Sequence, residues 1–324
     1  MFLDIVFLIV GLALILVGAN ALTDGSSAIA KRFGLSDLVV GLTVVAFGTS
    51  TPELVISVVS AVEGNAGLAI GNIVGSNIFN ILAIIGITAI IRPLAVGKSV
   101  MHNQLPLVLL SSVVLLVMGN SQILDQSPTR MLTRVDGILL LLFFIIFMRV
   151  TFAEAKSARP DAESDASPQK AMPLWKAVVW TLGGLAMLVF GGDRFVDGAS
   201  GLAREIGVSD SIIGLTIAAI GTSLPELATS VAAALKGKPG LAVGNVIGSN
   251  IFNIFLVLGT TATARPVGFG SIGNLDLLVL LGASFLFLAF GRFFGVRTIT
   301  RAEGAVLTFF YVAYMAALVI LETA

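Results

Sequence analysis

Cysteine is absent from all 324 residues. Disulfides, thiolate metal sites and cysteine nucleophiles are therefore excluded, while the compartment stays open. Histidine occurs once, as His102, so no imidazole cluster can select zinc or copper. Charge is scarce too: 12% of residues are charged, where a soluble domain carries about 25%. The 19 Lys and Arg balance 19 Asp and Glu, and no net field points to nucleic acid. Alternating strand patterns are missing, which removes a membrane barrel. The apolar stretches also lack an Asp dyad, a Ser with a His or Lys base, and an H-E-x-x-H motif, so they hold no intramembrane protease.

What the chain has is apolar length. Its residues are 56% hydrophobic and its mean hydropathy is +1.02. Most apolar stretches run about 17–25 residues, which suits a hydrocarbon core about 30 Å thick. Lipid leaves no backbone group unsatisfied, so these stretches are helices and the bilayer is the chain's main partner. The sequence predicts an all-α integral membrane protein with ten transmembrane helices, near 3–30, 38–61, 67–91, 103–120, 134–152, 174–203, 211–234, 240–264, 274–292 and 301–322. The first and sixth are long for one crossing and are expected to tilt. Ala19-Asn20-Ala21 has the look of a signal-peptide cleavage site, but Asp4 rather than Lys or Arg precedes the apolar run. A retained helix is expected there.

Residues 153–173 break the pattern, with Glu154, Lys156, Arg159, Asp161, Glu163, Asp165 and Lys170 among Ser, Pro and Ala. This reads as a solvated linker between 1–152 and 174–324. Ten crossings put Arg130, Arg134, Arg204 and Arg265 on one side and every other Lys and Arg on the opposite side, apart from Arg194 inside the sixth helix. The positive-inside rule then makes the linker cytoplasmic and both termini external, in the cell (inner) membrane.

The chain repeats itself. Residues 46–82 align with 219–255 at a constant offset of 173, with 23 of 37 positions identical. Gly48-Thr49-Ser50-Thr51-Pro52-Glu53 becomes Gly221-Thr222-Ser223-Leu224-Pro225-Glu226, and Gly75-Ser76-Asn77-Ile78-Phe79-Asn80 becomes Gly248-Ser249-Asn250-Ile251-Phe252-Asn253. Shared apolar composition would not align Pro, Glu, Asn, Gly and Ser in register. Asp24-Gly25 also matches Asp197-Gly198, and Arg92-Pro93 matches Arg265-Pro266. Two five-helix copies on one chain must enter the bilayer from opposite faces. Such inverted repeats build transporters whose sites lie near the midplane.

Glu53 and Glu226 sit at bilayer depth, where a carboxylate is costly unless it is paired, solvated or coordinated. Pro52 and Pro225 lack an N–H and free a carbonyl one turn back. Thr49 and Ser50 stand four and three residues before Glu53 and share its face, and Thr222 and Ser223 do the same for Glu226. Asn72, Ser76 and Asn80 form a polar stripe at four-residue spacing, repeated by Asn245, Ser249 and Asn253. The set is all oxygen with two formal negative charges. That balances one divalent ion and suits calcium's 6–8 oxygen ligands. The blander readings are small-residue helix packing for the glycines and serines, caps or interfacial pairs for Asp24 and Asp197, a surface place for His102, and local structure for Asp276 and Arg194.

These paired motifs resemble those of the calcium/cation antiporter superfamily, and within it the prokaryotic sodium/calcium exchangers. The resemblance covers the whole chain. It implies antiport of calcium against sodium, both carried as substrates, with no enzyme activity and no cofactor. It implies Glu53 and Glu226 as shared carboxylates, and Thr49, Ser50, Thr222 and Ser223 as oxygen ligands. Backbone carbonyls of Ala46 and Ala219 would add to these, and Ser76, Asn80, Ser249 and Asn253 would complete the cluster. It also implies that helices 1 and 6 slide together to alternate access. Some relatives carry Asp where this chain has Asn253, so two carboxylates stand where those have three. Proton coupling or potassium dependence is compatible with the same motifs, and a cation channel would use similar oxygens without needing a counter-ion gradient. A monomer is compatible with this reading, and the oligomeric state is left open.

Overall fold

A computed structural model describes residues 1–64, 66–124, 126, 128–157, 172–207, 219–294 and 297–323. Most of the linker and the start of the expected seventh span, 211–218, lie outside these residues. The described residues are almost wholly helical. They include α1 (Phe2–Phe33), α2 (Asp37–Thr49), α3 (Thr51–Glu63), α4 (Gly67–Ile91), α5 (Val100–Met118), α6 (Arg134–Ala155) and α7 (Leu174–Glu205). The short α8 (Ala219–Gly221) follows, then α9 (Leu224–Leu235), α10 (Pro239–Ala264), α11 (Asn274–Phe293) and α12 (Arg301–Ile320).

Eight of these are long and apolar enough to cross a membrane, and α2 with α3 makes a ninth, broken span. The second expected span is thus two helices bent by 43° rather than one rod. The cause is local. Pro52 lies in the first turn of α3, and Ser50 at the junction leaves helical geometry with φ −85° and ψ 6°. Proline has no N–H to continue α2, and its ring clashes with the carbonyl four residues back. Ser223 repeats this with φ −94° and ψ 4°, ahead of Pro225 in the first turn of α9.

Helices α4 and α10 form the buried centre, while α1, α7, α6 and α12 turn large apolar side chains outward. That inversion of the soluble pattern follows when lipid is the solvent. The two 32-residue helices α1 and α7 run antiparallel, and the Met1 ammonium pairs with Asp4 and Glu205. Glycine sets their spacing: a Cβ on Gly18 would stand 2.7 Å from the Gly184 carbonyl oxygen, and one on Gly184 would stand 2.7 Å from that of Gly18. Small residues allow this close approach, which supplies the packing that hydrophobicity cannot supply in lipid.

Four two-residue strands tie the chain together: β1 (Leu94–Ala95) with β4 (Thr298–Ile299), and β2 (Met131–Leu132) with β3 (Val267–Gly268). Both pairs are antiparallel, and each joins a segment before the linker to one after it. The arginines of the repeat do likewise. Arg92 Nη1 donates to the carbonyls of Ala234 and Leu235 at 3.2 and 3.3 Å, and Arg265 Nη1 donates to Val62 at 2.6 Å. Each caps the other half's broken helix, at the end where the helix dipole favours a cation.

Candidate ion-binding site

The breaks at Ser50 and Ser223 place Glu53 and Glu226 in the first turns of α3 and α9, where free N–H groups and the dipole favour negative charge. Both carboxylates are 0% exposed. Glu53 Oε1 accepts from Ser76 at 3.3 Å and Ser223 at 3.4 Å. Glu226 Oε1 accepts from Ser50 at 3.2 Å and Ser249 at 3.4 Å. Each acid is thus held by one serine of its own half and one of the other. The Ser76 and Ser223 hydroxyls lie 2.8 Å apart, so both serines that hold Glu53 also meet each other.

The second oxygens differ. Glu53 Oε2 and Glu226 Oε2 are buried with no hydrogen-bond partner, as are Asn80 Oδ1 and Asn253 Oδ1. Asn253 uses its Nδ2 instead, donating to Asn77 Oδ1 at 2.9 Å and Ser76 Oγ at 3.3 Å. Asn80 and Asn253 both lie in π-helical turns, Phe79–Ile84 and Phe252–Leu258. Such turns rotate side chains off the regular stripe and recur at functional sites. Four buried oxygens without donors, two on carboxylates, are unfavourable unless positive charge is supplied. The donor set is oxygen alone, which suits a hard cation.

Thr49 Oγ1 donates to Asn245 Oδ1 at 3.2 Å, and Thr222 Oγ1 to Asn72 Oδ1 at 3.4 Å. The Ala46 carbonyl is not freed by the break: it accepts the Ser50 N–H at 2.9 Å and the Thr49 hydroxyl at 3.4 Å. On the other side the Ser223 N–H closes on Ile220 at 3.0 Å rather than on Ala219. The interruption is therefore narrow, one residue at Ser50 and two at Thr222 and Ser223. The asparagines are the residues that motif reading undervalued. Asn72 and Asn245 hold the threonines, and Asn77 donates to the Asn250 carbonyl at 3.1 Å, tying α4 to α10 at matched positions. Their signal in the sequence was exact repetition of a buried polar residue.

A cavity of about 450 Å³ is lined by Pro52, Ile56, Asp193, Asp197, Thr222 and Pro225, among others. It lies toward the end of α7 that meets Met1. At the opposite end α1 is fastened to α9: Lys236 Nζ lies 2.7 Å from Asp24 Oδ1 and donates to the Asn20 carbonyl at 3.1 Å. Half-buried Lys238 is nearby, and desolvation lowers its pKa from the ordinary lysine value against the pull of Asp37 and Asp24. Asp24 is thus an interfacial pair, as expected, and Asp197 pairs with Arg194 at 3.1 Å. Asp276 accepts from Tyr314 at 2.8 Å and from the Gly273 N–H at 2.8 Å. His102 stays exposed beside the Lys98 carbonyl.

Comparison with known proteins shows what the whole chain is similar to. The sodium/calcium exchanger protein family matches residues 3–153 and 176–320. The inner membrane protein YrbG of Escherichia coli is 37% identical over 89% of this chain and 88% of its own. The sodium/calcium exchanger MaX1 of Methanosarcina acetivorans is 31% identical over 97% of this chain and 98% of its own. Among solved structures, the sodium-calcium exchanger NCX_Mj soaked with zero Na+ and Ca2+ superposes with a TM-score of 0.82 at 33% identity, covering 98% of this chain and 99% of that one.

Proposed function

The chain belongs to the sodium/calcium exchanger family, and from that premise we propose that it exchanges calcium for sodium by alternating access at the Glu53–Glu226 cluster. The observation that carries the reading is the pair of half-satisfied carboxylates. Each has one oxygen fixed by two serines and one buried oxygen with no partner. Calcium would draw its 6–8 oxygens from the unpartnered oxygens of Glu53, Glu226, Asn80 and Asn253 and from the hydroxyls of Thr49, Ser50, Ser76, Thr222, Ser223 and Ser249, while the carbonyls of Ala46 and Ala219 would join the wider set that a sodium load shares, Ala46 only when the Thr49 hydroxyl turns away from it. Two carboxylates balance one divalent ion, so calcium and a sodium load compete for the same oxygens rather than binding together.

In this reading 1–152 and 174–324 are inverted five-helix halves, ten spans in all, with α8 and α9 belonging to the seventh. The linker is cytoplasmic and the termini external, in the inner membrane, which puts the cavity on the external side. Access alternates as α1 and α7 move together along their glycine seam. The test is radiolabelled calcium uptake into sodium-loaded proteoliposomes, with the bath switched between sodium, potassium and choline at fixed pH. Uptake that requires an outward sodium gradient supports the reading. Uptake driven by a pH gradient and indifferent to sodium replaces sodium with protons, a requirement for potassium adds a third ion, and flux independent of any counter-ion makes the protein a channel.

A further inference from the structure

Asn72 and Asn245 hold equivalent places in the repeat, yet their amides are used differently. Asn245 Oδ1 accepts from Thr49, while its Nδ2 donates to the Glu226 carbonyl at 3.3 Å and to Ser230 Oγ at 3.0 Å. Asn72 Oδ1 accepts from Thr222, but its Nδ2 has no partner. Ser57, which the repeat matches to Ser230, is fully buried, and its hydroxyl also has no partner. An asparagine–serine link is therefore made in one half and open in the other. The open link belongs to the side where the cavity reaches Thr222 and Ile56. The closed link belongs to the side where Lys236 fastens α9 to Asp24.

We propose that Asn72 and Asn245 are positioning residues for the site's two threonines, and that the amide–serine link of each is the latch holding its own side shut. A hydroxyl has one proton. The asparagine carbonyl draws that proton toward itself, for Thr49 in competition with the Ala46 carbonyl at 3.4 Å, and leaves the threonine's lone pairs for a cation. The amide N–H groups then tie the same asparagine to the backbone of the acid-bearing helix. Threonine from one half and carboxylate from the other become one rigid unit. Two buried polar groups without partners are costly, so the open side carries a standing drive to close. As access passes across the site, Asn72 closes on Ser57 while Asn245 releases Ser230. This rests on the alternating-access reading and adds to it the groups that hold each side.

The cysteine-free sequence makes the test direct. Ile56→Cys reports the cavity side, and Thr229→Cys, its repeat counterpart, reports the other. The ratio of their maleimide labelling rates follows the ratio of the two access states. Loss of one neutral hydrogen bond shifts such a ratio about fivefold. Ser230→Ala is expected to shift it about fivefold toward Thr229→Cys, and Ser57→Ala about fivefold the opposite way. Asn245→Ala and Asn72→Ala should follow the same signs, and the serine variants, each lacking one oxygen, serve if the asparagine variants do not fold. Shifts of the same sign in both halves, or none in either, overturn the proposal. Labelling requires no transported ion, so its failure is distinct from a failure of the gradient assay.

Discussion

At the scale of single residues, the two glutamates and the four serines do different work. Replacing Glu53 or Glu226 by Gln leaves one negative charge where the proposed site needs two to balance a divalent ion. Breaking a buried charge set costs about 3–5 kcal/mol. Either variant is expected to weaken calcium binding by at least about a hundredfold, measured by titration calorimetry in detergent. Ser76→Ala and Ser249→Ala remove one neutral donor from a carboxylate oxygen that keeps a second. Their expected cost is about 1–2 kcal/mol each, read in the same titration. Equal losses for Glu and Ser variants would contradict the ranking. The glutamates were legible in the sequence because a carboxylate within an apolar run needs a reason. The roles of Asn72 and Asn245 were not. Spacing puts an asparagine on a face, but whether its amide meets an ion, a threonine or a carbonyl depends on the neighbouring helix.

At the scale of elements, sequence reading succeeded where hydropathy decides and fell short where backbone geometry does. Apolar length located α1, α4, α7 and α10 to within a few residues. It showed the second span as continuous, because the 43° bend at Ser50 leaves no mark on hydropathy. Nor did it show the π-helical turns at Asn80 and Asn253, which change the register of a helix but not its composition. Pro52 did signal the break. Pro52→Ala restores an N–H and allows α2 to run on into α3. The expected result is slower maximal exchange with the serine and glutamate side chains of the proposed site still present, seen as a larger fall in transport rate than in calcium affinity. The α1–α7 seam offers a second element-scale test. A side chain at Gly184 meets backbone of α1 at 2.5–3.0 Å, and backbone cannot yield as a side chain does. Gly184→Leu should destabilise the fold by about 1–3 kcal/mol, measured as a lowered melting temperature, and should slow exchange even where calcium still binds.

At the scale of the whole molecule, a ligand that binds only the folded state stabilises it by mass action, about 2.7 kcal/mol at a hundred times its dissociation constant. Calcium and sodium should each raise the melting temperature. Competition for one set of oxygens makes the two effects less than additive, whereas separate sites would make them add. Reciprocity marks several of the contacts between the two halves. Ser50 serves Glu226 while Ser223 serves Glu53. Arg92 caps α9 while Arg265 caps α3, and β1 takes β4 while β2 takes β3. Contacts in which each patch meets its partner's counterpart are those of an isologous dimer. If the two halves are inverted copies as proposed, the polypeptide is in effect a homodimer on one chain. The join contributes effective concentration, while the recognition lies in the interface. Two separately expressed fragments, cut within the segment that joins them, are therefore expected to find each other in the membrane and rebuild the complete fold.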